Sequence, residues 1–337
     1  MISFIQKKNL SLESIGSILA HTCETNQFTN NGPVKKLLEL ELQNLLNIPS
    51  DKSVFCLSNG THALHALMYA YNLNSWVTPA FTFPSSVISG AFNVDILDIN
   101  LATGAPSKAE NILKQYDGII LTNLFGSYVD LKWWEDFCKN NDKVLIFDNA
   151  SSPMSALNKQ NICTFGDSSF GSLHHTKTLG FGEGGFVVVP SAMYDTISRI
   201  SNFGFNEDRK HSIMSSNFKM SDVSAACILS HIKEYDIEKH IAVQKKLLTG
   251  IRNINGAAIF NYKEGTVYGN LPVIFEEARY VPDFDKFNIE VKKYYKPLLD
   301  LPNSLDLYSR IINFPLHGLL VPGNIDQILN CIEAMSK

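Results

Sequence analysis

Ser172-Leu173-His174-His175-Thr176-Lys177-Thr178-Leu179-Gly180-Phe181-Gly182-Glu183-Gly184-Gly185 leads into Phe186-Val187-Val188-Val189. The second run is β-branched and apolar and reads as a strand. The first places one lysine among small, permissive residues, where a tight turn can form. An amine held in such a turn can condense with a carbonyl to form a Schiff base. Taken alone, the plainer reading of Lys177 is a surface lysine in a glycine-rich loop. Its meaning depends on what the rest of the chain sets around it.

Outward from this block, short apolar runs alternate with helical stretches. Ser53-Val54-Phe55-Cys56-Leu57, Val94 to Ile99, Gly118-Ile119-Ile120-Leu121-Thr122 and Lys143-Val144-Leu145-Ile146-Phe147 read as strands. Ala63 to Ala70 and Leu131 to Lys139 read as helices, and Ser221 to Leu248 as a long helix broken near Tyr235. Fully apolar strands separated by helices predict a mainly parallel sheet covered on both faces, an α/β fold. Ligands of such sheets lie beyond the carboxyl ends of the strands. After Gly256 the pattern changes to short strands such as Ala257 to Phe260, and it closes on a helix over Asn324 to Met335. A chain of 337 residues exceeds a typical single core. Residues 1–235 are expected to form a larger domain and residues 236–337 a smaller α/β domain.

Composition narrows the function classes. With 45% hydrophobic and 18% charged residues the chain is globular in type. A net charge of −4 argues against nucleic acid as the main partner, because phosphate backbones need a basic face. No apolar run is long enough for a bilayer, and the first residues lack the apolar core of a signal peptide. A cytoplasmic protein with no membrane partner is expected. The six cysteines are scattered with no CxxC pair, and His174-His175 has no third ligand at suitable spacing. No metal site is therefore expected.

Four places along the chain carry chemical promise. Ser58-Asn59-Gly60-Thr61 joins a strand to a helix, whose N-terminus suits a phosphate group; an ordinary cap reads as well. Asp148 ends an apolar strand. There it can hold a proton on a heteroaromatic nitrogen, as the ring of pyridoxal phosphate (PLP) requires, or simply begin a turn. Phe81-Thr82-Phe83-Pro84 sets rings near another strand end, fit to stack on a planar cofactor or to pack in a core. Ser172 can donate to a phosphate ahead of Lys177.

The order of these features resembles the DegT/DnrJ/StrS family, the PLP-dependent sugar-nucleotide aminotransferases of the aspartate-aminotransferase fold (type I). The likeness runs nearly end to end. It includes Phe28-Thr29-Asn30-Asn31-Gly32-Pro33, Ser58 to Leu64, Thr78 to Phe83, Asn123-Leu124-Phe125-Gly126 and Phe147-Asp148-Asn149-Ala150. It continues through the lysine block, Asn202 to Phe205, Asn217-Phe218-Lys219-Met220-Ser221-Asp222, Tyr294-Tyr295-Lys296-Pro297 and Phe314 to His317.

The resemblance implies a seven-stranded, mainly parallel sheet with a smaller C-terminal domain. It also implies a role for each matching residue. Lys177 would be the covalent amine and the proton carrier, and Asp148 the partner of the pyridine nitrogen. Phe83 would stack on the ring. Gly60, Thr61 and Ser172 would hold the phosphate, and Asn217 would reach it from the other subunit of a homodimer, so that active sites lie at the subunit interface. Thr29, Asn30, Asn31, His174, Lys219 and Tyr294 are expected toward the substrate. Ser151 stands where family members usually carry Gln or His against the cofactor's phenolic oxygen; the shorter side chain would need a water to reach it. The implied reaction moves an amino group from L-glutamate to a keto-sugar nucleotide, with C4 of a dTDP-4-keto-6-deoxyhexose as the first choice. Amination at C3, a PLP-dependent sugar dehydratase and an inactive sugar-nucleotide-binding regulator are the alternatives. A related branch with histidine in place of the lysine performs dehydration, so the presence of Lys177 favours transamination.

Overall fold

The computed structural model describes residues 1–88, 92–205, 210–211 and 213–337. Its centre is built by the apolar runs. In chain order these are β1 (Lys52–Leu57), β2 (Ser75–Pro79), β3 (Asn93–Leu97), β4 (Gly118–Thr122) and β5 (Val144–Asp148). A short hairpin follows, β6 (Ala156–Leu157) and β7 (Gln160–Asn161), and then β8 (Ser168–Ser172) and β9 (Gly185–Pro190). Seven of them form one sheet in the order β1-β9-β8-β5-β4-β2-β3. β9 runs antiparallel to both neighbours, and the remaining pairs are parallel. The functional strand ends of β1, β2, β4, β5 and β8 therefore share one edge of the sheet.

Both faces are covered, as the continuous apolar strands require. Alternate residues point to opposite sides. Phe55, Trp76, Ile120, Ile146 and Val187 pack on one face with Leu64 and Leu67 of α3 (Gly60–Tyr71) and Ile197 of α6 (Tyr194–Ser201). On the other face, Cys56, Phe186 and Val188 pack with α2 (Pro33–Leu45) and α7 (Asp222–Glu234). Ile119, Leu121 and Phe147 pack there with Trp134 of α5 (Leu131–Asn140). Outside these lie α1 (Leu12–Thr25) and the single-turn α4 (Glu110–Leu113).

A second, antiparallel sheet is made of β10 (Ala257–Ile259), β11 (Leu271–Phe275) and β12 (Ile311–Phe314). It packs with α8 (Ile237–Ile251), α9 (Pro302–Arg310) and α10 (Pro322–Ser336). Its core also takes in Phe81, Leu124 and Phe125 from the loops of the large sheet, so the two units meet beside the strand ends. The expected boundary at residue 235 falls in the link between α7 and α8. There Asp236 caps α8 by accepting from the Lys239 N–H at 2.9 Å. The first residues of the chain dock on the smaller unit: Ile2 bridges Ile289, and the Phe4 N–H donates to the Glu290 carboxylate at 2.9 Å.

Candidate active site

β5 delivers Asp148 to the shared edge. Its carboxylate is 3% exposed and accepts from the Ala150 N–H at 2.8 Å, with the Thr122 hydroxyl at the end of β4 3.4 Å away. Burial lifts this carboxyl to about 6, against the opposing pull of the Ala150 N–H, Lys177 and Thr122. Lys177 is the matching basic group. Burial holds its amine below the usual lysine range, and the charge of Asp148 opposes that shift. Each group thus eases the other's desolvation.

The turn that carries Lys177 is fixed by its own backbone. The Lys177 N–H donates to the His174 carbonyl at 2.8 Å, Gly180 N–H to the Lys177 carbonyl at 3.0 Å, and His175 N–H to the Gly182 carbonyl at 2.7 Å. The glycine run has a packing reason at its last residue. A Cβ on Gly185 would lie 2.3 Å from the Asn59 carbonyl carbon and 2.6 Å from the Gly60 nitrogen. Only glycine lets β9 pass this close to the start of α3.

That helix start is the second half of the site. Asn59 caps α3 by accepting from the His62 N–H at 2.8 Å. The first N–H groups of a helix have no acceptor within it and carry partial positive charge. Ser172, last in β8, stands against them: a Cβ on Gly60 would be 3.1 Å from that of Ser172. A cradle for an anion results, made of backbone N–H groups and a hydroxyl.

Between cradle and carboxylate lies a cavity of about 570 Å³. Of the expected residues, Gly60, Thr61, Phe83, Asp148, Ser151, Ser172, His174 and Lys177 all line it. Phe83 is 54% exposed, offering its ring to the cavity wall. His174 stands near the mouth, its Nδ1 2.8 Å from the Thr176 hydroxyl. Tyr294 lines a smaller adjoining cavity of about 130 Å³.

The other expected residues do not line the larger cavity, although the segment of Asn217 and Lys219 runs beside the end of β1, where the Ser58 N–H donates to the Phe218 carbonyl at 2.9 Å. Thr29, Asn30 and Asn217 are exposed outside the cavity. Asn31 donates to the Ser198 hydroxyl at 2.8 Å, and the Lys219 ammonium donates to the Asn202 side-chain carbonyl at 2.8 Å. Their two segments are joined: the Asp222 N–H donates to the Phe28 carbonyl at 2.9 Å, and the Asp222 carboxylate accepts from the Val34 and Lys35 N–H groups. Two distant stretches of sequence thus form one surface feature beside α2.

Sequence reasoning missed Thr122, Glu183 and Tyr295, which also line the cavity. Tyr295 stacks on Phe125 at 5.6 Å and meets Phe83 edge-on at 6.3 Å. The Ser151 hydroxyl is a hydrogen-bond partner of its phenol, and burial and Asp148 push that phenol up. The short Ser151 therefore shares its place in the wall with an aromatic hydroxyl from the smaller unit. Among the described residues, no group of three or more His, Cys, Asp or Glu is arranged to hold a metal ion. Among them too, no helix is long and apolar enough to cross a membrane.

The residues fit PLP on structural grounds. An anion cradle that a Cβ would crowd stands at one end, a buried carboxyl at the other, with one lysine amine and an open aromatic face between them. Together with the seven-stranded sheet, this defines a PLP-dependent enzyme of the type I, aspartate-aminotransferase fold. The DegT/DnrJ/EryC1/StrS aminotransferase family model matches residues 13–333, and the chain belongs to that family. It is 26% identical to a dTDP-4-amino-4,6-dideoxy-D-glucose transaminase of Shigella dysenteriae, with 98% of both chains covered. It is 27% identical to a GDP-perosamine synthase of Vibrio cholerae, covering 84% of this chain and 86% of that one. A solved Bacillus cereus structure assigned as a PLP-dependent aminotransferase superposes with a TM-score of 0.87 at 20% identity, covering 98% of this chain and 99% of that chain.

Proposed function

We propose that this aminotransferase moves an amino group from L-glutamate to C4 of a dTDP-4-keto-6-deoxyhexose. The observation that carries the sugar-nucleotide assignment is the end-to-end match to the dTDP-sugar transaminase. The second relative is named for a GDP-sugar, so the nucleotide is the part most in need of test.

The residues divide the work as follows. The Gly60 and Thr61 N–H groups and the Ser172 hydroxyl would hold the cofactor's phosphate. Asp148 would keep a proton on the ring nitrogen, and that positive charge would in turn stabilise the buried carboxylate. When bound, the cofactor supplies an electron sink for the carbon that bears the amine. Lys177 would take the proton from the amine-bearing carbon of glutamate and, in the second half-reaction, give one to C4 of the sugar; its lowered pKa favours the neutral amine that a base needs. Phe83 and Tyr295 close the wall and limit water.

The active enzyme is a homodimer in this reading. Thr29, Asn30 and Asn217 are exposed and, like Lys219, do not line their own chain's cavity, a placement that suits a reach into a second copy's site. Incubation with glutamate and a panel of 3-keto and 4-keto sugars on dTDP, UDP and GDP tests the substrate. The expected product is the dTDP-linked sugar carrying an amine at C4. Amination of 3-keto sugars alone, or of no sugar, would contradict the reading.

A further inference from the structure

The N-terminal segment meets the site at one atom. Lys8 Nζ donates to the carbonyls of His175 at 2.7 Å and Lys177 at 2.6 Å, and also to that of Gly180. All three belong to the turn that presents the catalytic amine. An ammonium has three N–H donors and no acceptor, so donors and carbonyls match in number. We infer that Lys8 is a positioning residue: its ammonium gathers the turn's carbonyls, sets the place of Lys177, and ties that turn to the smaller unit.

Three observations support this. The chain on the other side of Lys8 is anchored to the smaller unit through Ile2 on Ile289, Phe4 on Glu290, and the Ser3 carbonyl 3.3 Å from His317 Nε2. The strap from Ser3 to Lys8 therefore spans both units at the cavity wall, where Phe4, Ile5, Gln6 and Lys8 line the smaller cavity with Lys177 and Tyr295. Second, among the described residues no carboxylate pairs with the ammonium. Burial brings Lys8 down to about 8 with no counter-charge opposing it, so the turn's carbonyls bear its solvation. A part-buried cation is costly to place without a counter-charge. Third, the imidazoles facing it feel its charge. The histidines facing it, His175 and His231, are held below their ordinary value by burial and by Lys8 itself. The other titratable groups lining this cavity are Lys177, Tyr235, His240, Tyr294, Tyr295 and His317.

The inference rests on Lys177 being the cofactor's attachment point, and the test separates the two. Wild-type protein with added PLP must first give a visible absorption band and transaminate; failure there would count against the attachment, not against Lys8. Lys8→Met and Lys8→Gln are then compared at cofactor concentrations that saturate the band. A cation near Lys177 disfavours a second positive charge, so its loss raises the pH at which the band changes. The expected result is that higher midpoint, with kcat down about tenfold and KM for glutamate within about twofold. Lys8→Arg, which keeps the charge, returns the midpoint toward wild type. Lys8→Gln retains two donors and serves where Lys8→Met does not fold. A variant that saturates with cofactor and keeps the wild-type kcat and midpoint, losing only thermal stability, would overturn the inference.

Discussion

Asp148 and Lys177 face one cavity with their ionisation pushed toward neutrality, the acid up and the amine down. The acid's shift has a measurable consequence for the cofactor-free protein. A carboxyl whose folded value lies above its unfolded one binds more protons when folded. Its stabilising contribution is full below the ordinary 3.8 and is lost as pH rises through about 6. At about 1.4 kcal/mol per pH unit, the loss amounts to roughly 3 kcal/mol above that window. Asp148→Asn should therefore raise the stability of the apoprotein at pH 7.5 by up to about 3 kcal/mol in denaturant unfolding and add little below pH 4, while turnover falls about 100-fold or more. No gain at pH 7.5 would place the cost of the site elsewhere. Asp148 was legible because an apolar strand ends on it at the edge where such sheets hold ligands, and the order of the motifs around it selects that reading over a turn. Tyr295 was not. It adjoins Tyr294, the two rings 5.5 Å apart, and nothing in the sequence marks which of the pair lines the larger cavity.

At the scale of elements, the site depends on how closely β9 passes the start of α3. A Cβ on Gly185 would strike Asn59 at 2.3 Å, and this contact has no flexible side chain to yield. Gly185→Ala should displace the anion cradle, weakening PLP affinity about tenfold and costing about 2–3 kcal/mol of stability; titrating apoprotein with PLP by its visible band measures the first. Wild-type affinity would mean the cradle is not where phosphate binds. The apolar stretch from Ala63 to Ala70 shows this helix in the sequence, but α3 begins three residues earlier, at Gly60, because Asn59 supplies the cap. The break near Tyr235 was legible because Asp236 offers a new cap beyond it. The strand expected through Ile99 stops at Leu97, and Ile99 instead pairs with Pro106. That pairing is set by a turn over residues 100–105 and leaves no mark in the run of apolar residues.

For the molecule as a whole, the parallel sheet and the second unit follow from strand composition, but the completeness of one chain's site does not. Eight of the expected residues line the cavity, and Thr29, Asn30 and Asn217 lie exposed beyond it. Nearby Phe28, Phe203 and Phe205 are also 41–44% exposed, more aromatic surface than a lone chain needs to show. If Asn217 serves the other copy's site, mixing Lys177→Ala with Asn217→Ala chains rebuilds one intact site in each mixed dimer. Refolded together in equal amounts at limiting PLP, two weak variants should recover about a quarter of wild-type activity. Activity no higher than the average of the separate variants would mean that Asn217 acts within its own chain, or not at all. The measurement that bears most directly on the account as a whole is the location of the cofactor. The PLP-loaded protein is reduced with borohydride, digested, and its peptides are weighed. The predicted result is a single pyridoxyl-modified peptide containing Lys177. Modification of another lysine, or none despite a visible band, would contradict it.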